Sequence, residues 1–141
     1  MADSQPELNN KALIRNLIEA SDRGDMSAVD RYYSPHYLDH NPSAGRATAE
    51  GIEGVRRAFA MFHDAFPDTR HEILDLVAEG DRVAARIRAK ATHSGEIMGI
   101  PATGKEVTLE AISIYRIADE KIAERWCFQG EGILEQLRRS S

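Results

Sequence analysis

Apolar residues recur along this chain with two different periods, and the change from one to the other divides it. Over residues 9–22, Leu13, Ile14, Leu17 and Ile18 fall on one stripe, the spacing of an amphipathic helix. Asn9 or Asn10 stands where a cap belongs, and Gly24 ends the segment. Asp25 reads as the N-cap of a second, short helix with Met26, Val29, Tyr32 and Tyr33 on its inner side, stopped by Pro35. His36–Asn41 is then a short extended piece before a loop at Pro42–Arg46. Ile52, Val55, Phe59 and Phe62 repeat at helical spacing through a third helix over 49–65, closed by Pro67. From there the period is two. Strands are expected at His71–Glu79, Arg82–His93, Glu106–Ile117 and Lys121–Gln129, with a turn at Glu79–Asp81 and a Gly- and Pro-bearing loop at Ser94–Lys105. A short helix within Gly130–Arg138 closes the chain. Three helices followed by antiparallel strands read as α+β, with helices packed on one face of a curved antiparallel sheet.

The last two strands are apolar on both sides. Val107, Leu109, Ala111, Ser113 and Tyr115 alternate with positions that include Ile112 and Ile114, whereas a sheet buried on one side alternates more cleanly. One face therefore meets the helices and the other a second subunit, so a homodimer is expected. Composition narrows the picture further. At 141 residues with 42% apolar content, one globular domain is expected over 1–141, with flexible ends at 1–6 and 139–141. A net charge of −5 argues against nucleic acid as a partner. No apolar run reaches the roughly 20 residues of a membrane span, and MADSQPELNN lacks a signal-peptide core. A single Cys127 makes no internal disulfide. These features lead to the expectation of a soluble, cytoplasmic protein. No nucleotide loop is present: GIEGV at 51–55 begins a helix with no buried strand before it.

Three segments carry a resemblance: YLDHNP at 37–42, FPDTRHEILDLVAEGDRVAARIRAKATHSGEIMGIPATGK at 66–105, and YRIADEKIAERW at 115–126. In these the chain resembles the SnoaL-like polyketide cyclase (ester cyclase) family of the nuclear transport factor 2-like fold. The resemblance implies a cone, in which a curved sheet is wrapped by N-terminal helices around an apolar pocket. It also implies chemistry on a small aromatic polyketide with neither metal nor organic cofactor. In the family's cyclases an aspartate on the last strand is the general acid/base, supported by a His and a Gln on the adjacent strand. Aligned through RIADEKI, those positions are Cys127, Ser113 and Ala111 here. All three are replaced, and burial raises the pKa of a thiol rather than making it a base. The loss resembles the hydroxylase-like branch of the family. That branch implies a polyketide-tailoring enzyme of anthracycline-type secondary metabolism, acting on an oxygen-reactive substrate anion or with oxygen or reductant from a partner oxidoreductase. The alternatives are a cyclase or isomerase with different acid/base residues, and a non-catalytic small-molecule binding protein.

The candidate residues follow. His40 in DHNP is placed at the pocket rim as a proton donor or acceptor, with Asp39 beside it read as a solvated or turn-capping carboxylate. Arg125, Cys127 and Gln129 share one parity of the last strand and are assigned to the pocket. Arg125 there would hold a carboxylate, enolate or phenolate, and Gln129 a quinone oxygen. Simple periodicity argues the opposite, burying Ile122, Trp126 and Phe128 and exposing Arg125; the family register is followed. Tyr115 is the proton donor, with Ala111 and Ser113 on its side of the neighbouring strand. Tyr33, Phe59 and Phe62 supply aromatic walls. His93 in THSG, with Glu96 as its partner, is a further substrate-contact candidate. No metal is expected, since His36, Asp39, His40 and His63 match no ligand spacing. His63 and His71 are read as surface or structural.

Overall fold

The computed structural model describes residues 2–41 and 51–139, so the expected loop at Pro42–Arg46 lies outside the described residues. The first helix, α1 (Gln5–Asp22), begins four residues earlier than its apolar stripe suggests. Its cap is Ser4: the Ser4 hydroxyl accepts from the Glu7 amide while the Glu7 carboxylate accepts from the Ser4 amide. This reciprocal box satisfies two of the donors a helix start leaves open, and such a cap contributes about 1 kcal/mol. Glu7 also accepts from the Gly80 amide at 2.8 Å, which ties α1 to the turn of a distant hairpin.

Helix α2 (Ser27–Tyr32) follows, with the Asp25 carboxylate accepting from the Ser27 amide and hydroxyl. Met26, assigned to the inner side, is exposed instead. Tyr33 belongs to the next element, strand β1 (Tyr33–Asp39). Helix α3 (Gly51–Ala65) and strands β2 (Arg70–Glu79), β3 (Arg82–Thr92), β4 (Glu106–Ala118) and β5 (Lys121–Gln129) lie close to the expected spans, and α4 (Ile133–Arg138) ends the described chain.

Among the described residues the sheet has the order β1-β5-β4-β3-β2. It is mixed, not purely antiparallel, because β1 pairs parallel to β5 through Tyr33 with Ile122 and Asp39 with Arg125. A parallel neighbour needs a long crossover, and α3 with the three strands after it provides one.

A second irregularity decides which side chains reach the interior. Along β4 and β5, Arg116 pairs with Glu124 but Ile117 pairs with Ile122, so Ala123 is an extra residue on β5. Such a bulge reverses side-chain parity beyond it. Ile122 and Cys127 are therefore both buried, although they are five positions apart and strict alternation would separate them. The bulge settles the conflict between periodicity and family register. Arg125, Cys127 and Gln129 face the concave side with the helices, while Trp126 and Phe128 face the convex side. The main core joins Ile14, Leu17 and Ile18 of α1 and Val29 of α2 to Val83, Tyr115, Ile117 and Ile122 of the sheet.

Candidate functional site

The concave face encloses a cavity of about 490 Å³, within the size range of small-molecule sites. The sheet contributes Ile87, Ala89, Leu109, Ala111, Ser113, Tyr115, Arg125, Cys127 and Gln129; the helices contribute Leu17, Ile18, Val55, Phe59 and Phe62. Tyr33 and Tyr37 of β1 form the wall beside Arg125, their rings edge to face at 4.9 Å. Nine of the residues expected at the site thus line one cavity: Tyr33, Phe59, Phe62, Ala111, Ser113, Tyr115, Arg125, Cys127 and Gln129.

Two do not. His40 is off the cavity, on the convex face. Its ring stacks on Trp126 at 4.7 Å, and its Nε2 lies 2.7 Å from a Glu124 carboxylate oxygen. The reason is alternation along β1: Asp39 points inward, so its neighbour points out. His93 is fully buried but outside the cavity wall. Its Nδ1 accepts from the Thr103 amide, and its backbone holds Gly104 and Lys105. It fastens the Ser94–Lys105 loop. Glu96 does not meet it, but accepts from the Gly99 amide. His36 is exposed, and among the described residues no group of three metal-ligating side chains comes together.

Asp39 departs furthest from its expected role. It is 9% exposed, lines the cavity, and its Oδ2 lies 3.4 Å from an Arg125 guanidinium nitrogen. Its other oxygen accepts from the Asn41 amide, so part of the turn-capping reading holds. Asn41 in turn accepts from the Cys127 amide and fixes this edge of β5.

Arg125 is the electrostatic centre. One of its terminal nitrogens reaches Asp39 and the Asn41 carbonyl, but its Nε is buried with no acceptor among the described residues. Burial works against the cation. Tyr115, Tyr37 and Asp39 outweigh that and hold its pKa above the ordinary arginine value. At neutral pH the phenols are uncharged, so Asp39 is the counterion that matters. Burial also pushes the phenols of Tyr33, Tyr37 and Tyr115 upward. They stay protonated and are available as hydrogen-bond donors, and Tyr115 is linked to the Ser113 hydroxyl.

The reading from sequence missed one polar cluster at this cavity. Asp22, at the end of α1, and His71, at the start of β2, both line it. The His71 Nδ1 lies 2.5 Å from one Asp22 oxygen, and the His71 amide donates to the other at 2.9 Å. The pair is 49 residues apart in sequence; Asp22 lies outside the segments that carry the resemblance, and His71, inside one of them, was read as surface or structural.

With this geometry in place, comparison with known proteins adds four findings. The profile of the SnoaL-like polyketide cyclase family matches residues 11–137. The aklanonic acid methyl ester cyclase DnrD of Streptomyces peucetius is 30% identical over 118 residues, covering 79% of this chain and 78% of that one. The nogalonic acid methyl ester cyclase of Streptomyces nogalater is 27% identical over 128 residues, covering 86% and 91%. Among solved structures, AclR of Streptomyces galilaeus, a proposed hydroxylase, superposes with a TM-score of 0.81 at 29% identity, over 96% of this chain and 99% of that one.

Proposed function

We propose, because this chain belongs to the SnoaL-like polyketide cyclase family, that it tailors a polycyclic aromatic polyketide by holding the substrate's phenolate or enolate on Arg125. The observation that carries this reading is the buried Nε of Arg125, which has no acceptor among the described residues, inside an apolar cavity. A buried donor without a partner is costly, and among the described residues Asp39 is the one carboxylate paired with the cation. An anionic oxygen supplied by a ligand completes the site. In a water-poor cavity such a donor stabilises developing negative charge far more than it would in solution. The Tyr115 and Ser113 hydroxyls are further donors, Gln129 a polar contact at the end of β5, and Tyr33, Phe59 and Phe62 the flat walls a fused-ring molecule needs. Ala111 and Cys127 complete the floor. His40 and His93, which lie off the cavity, take no part.

Hydroxylation of the bound ring is the preferred outcome. Cys127, Ser113 and Ala111 offer no carboxylate or imidazole beside the anion, and the similarity to AclR supports the same direction. For a simple ring hydroxylation, dioxygen, two electrons and two protons convert C–H to C–OH plus water, with the electrons coming from a partner oxidoreductase. Ring closure is the second reading, favoured by the names of the curated relatives. The lone buried thiol of Cys127 suits a reducing compartment, the cytoplasm.

Anthrone tests the first reading without a reductant, since anthrone plus dioxygen gives anthraquinone plus water. The protein is expected to accelerate this conversion, with one oxygen atom from labelled dioxygen in the product. Arg125→Met is expected to lose about 10²- to 10³-fold of the rate. Anthrone that disappears no faster with protein than without it would remove oxygenation and leave ring closure.

The convex face belongs to the same proposal. Ile112 and Phe128 pair across β4 and β5, as do Ile114 and Trp126. Phe128 is 76% exposed and Ile112 50%, which makes a contiguous apolar patch that a second copy of the chain covers. Sedimentation velocity is expected to give a dimer for the native chain and a monomer for Ile112→Lys/Phe128→Lys. A native monomer at micromolar concentration would end this part of the proposal.

A further inference from the structure

The cavity has a second polar end. His71 pairs across the sheet with Ala89, and Ala89 with Leu109, whereas Arg125 pairs with Tyr115. Leu109 and Tyr115 are six positions apart on β4, about 20 Å at roughly 3.3 Å per residue. One face of one cavity therefore carries Arg125 towards one end and the Asp22–His71 pair towards the other.

The pair has the form of an oriented base. An ionised carboxylate only accepts, so the short contact to Asp22 places the imidazole proton on Nδ1. The second Asp22 oxygen takes the His71 backbone amide, and these two bonds fix the ring against its own strand. Nε2 makes no hydrogen bond among the described residues. A carboxylate that sets the tautomer and steadies the imidazolium is what turns a histidine into an effective proton acceptor.

We propose that His71 is a general base of this cavity and Asp22 its positioning residue; the proposal rests on the reading of the cavity as a site for an aromatic carbon or oxygen acid. In the step, the substrate C–H or O–H bond breaks and the proton passes to Nε2. The electron pair remains on the substrate as an enolate or phenolate. The imidazolium stays paired with Asp22 and later returns the proton to the product or to water. The separation of the two ends also selects the substrate. A fused, conjugated ring system carries charge from the ring that loses the proton to an oxygen several bonds away, where Arg125 receives it.

The test is hydrogen–deuterium exchange at the methylene carbon of anthrone, followed by NMR under exclusion of oxygen, so that only the proton step is read. The native protein is expected to accelerate exchange over buffer. His71→Ala keeps the backbone bond to Asp22 and is expected to lose about 10²- to 10⁴-fold at saturating anthrone, with half-saturation unchanged and activity partly restored by added imidazole. Asp22→Asn is expected to lose at least about tenfold and not respond to imidazole, because its base is present but in the wrong tautomer. His71→Gln, isosteric enough to hold the strand, serves as a folding control and is expected to be as slow as His71→Ala. Native-like exchange in His71→Ala, or no acceleration by the native protein, would overturn the proposal. Failure of the Arg125 reading is separate: it shows as 2-hydroxyanthraquinone ionising identically on native protein and on Arg125→Met, whatever the exchange result.

Discussion

Replacing Arg125 by Met is expected to remove most turnover and to lower stability, and the two losses have different causes. The activity loss follows from the missing donor and cation at the substrate oxygen, about 10²- to 10³-fold. The stability loss follows from Asp39. That carboxylate is 9% exposed, faces Tyr33 and Tyr37, and has Arg125 as its cationic partner. Breaking one side of a buried pair leaves an uncompensated charge and costs about 3 kcal/mol or more. Asp39 retains the Asn41 amide, which keeps the estimate at the lower end. Adding Asp39→Asn to Arg125→Met removes the stranded charge. Urea denaturation is expected to show most of the stability regained, while anthrone turnover stays at the level of the single variant. Recovery of both together would mean that Arg125 acts on structure and not on substrate.

Gly95→Ala is expected to be strongly destabilising for a single added methyl. A Cβ at Gly95 would stand 2.5 Å from the Asp64 carbonyl oxygen and 3.3 Å from the Ala65 Cα. These are backbone atoms at the end of α3 and cannot swing aside. The same contact is where the Ser94 and Gly95 amides donate to the Ala65 carbonyl, so moving the loop breaks the cap that holds α3 to the sheet. Overpacking of this kind costs about 2 to 3 kcal/mol, a fall in melting temperature of roughly 6 to 9 °C for a chain of this size. Gly80→Ala is the control. Nothing lies within 4 Å of its added carbon, and only the left-handed backbone conformation, about 1 kcal/mol, opposes it. Equal effects at the two positions would show that crowding at Gly95 is relieved by movement of the loop.

Periodicity located the elements well where each packs on a single face: the stripes of α1 and α3 and the alternation of β3 are plain in the sequence. It gave only the second half of β1, as an extended piece over His36–Asn41, because YSPHYLD carries Pro35 and His36 on an outer edge and pairs on one side with a strand some ninety residues later. The start of α1 was in fact visible as Ser4-Gln5-Pro6-Glu7, a cap, a proline and a box-closing glutamate, but its first turn has no apolar stripe to draw attention. The concave position of Arg125 depends on the bulge at Ala123, and an extra residue in a ladder leaves no mark in composition. Only the resemblance to a family supplied that register. Asp39 and His40 went to the wrong faces because they were read as one motif, although in a strand adjacent residues point apart. Asp22 and His71 could not be paired without the fold: only the packing of α1 across β2 brings them together.

The most direct measurement is the ionisation of bound 2-hydroxyanthraquinone, followed by its visible absorbance against pH. Burial in an apolar cavity alone raises a phenol's pKa, while a neighbouring cation lowers it, so the two possibilities differ in sign. On the native protein the dye is expected to ionise about one unit or more below its value in solution, and on Arg125→Met above it. A dye that ionises above its solution value on both proteins would contradict the central claim that this cavity holds an aromatic anion on Arg125.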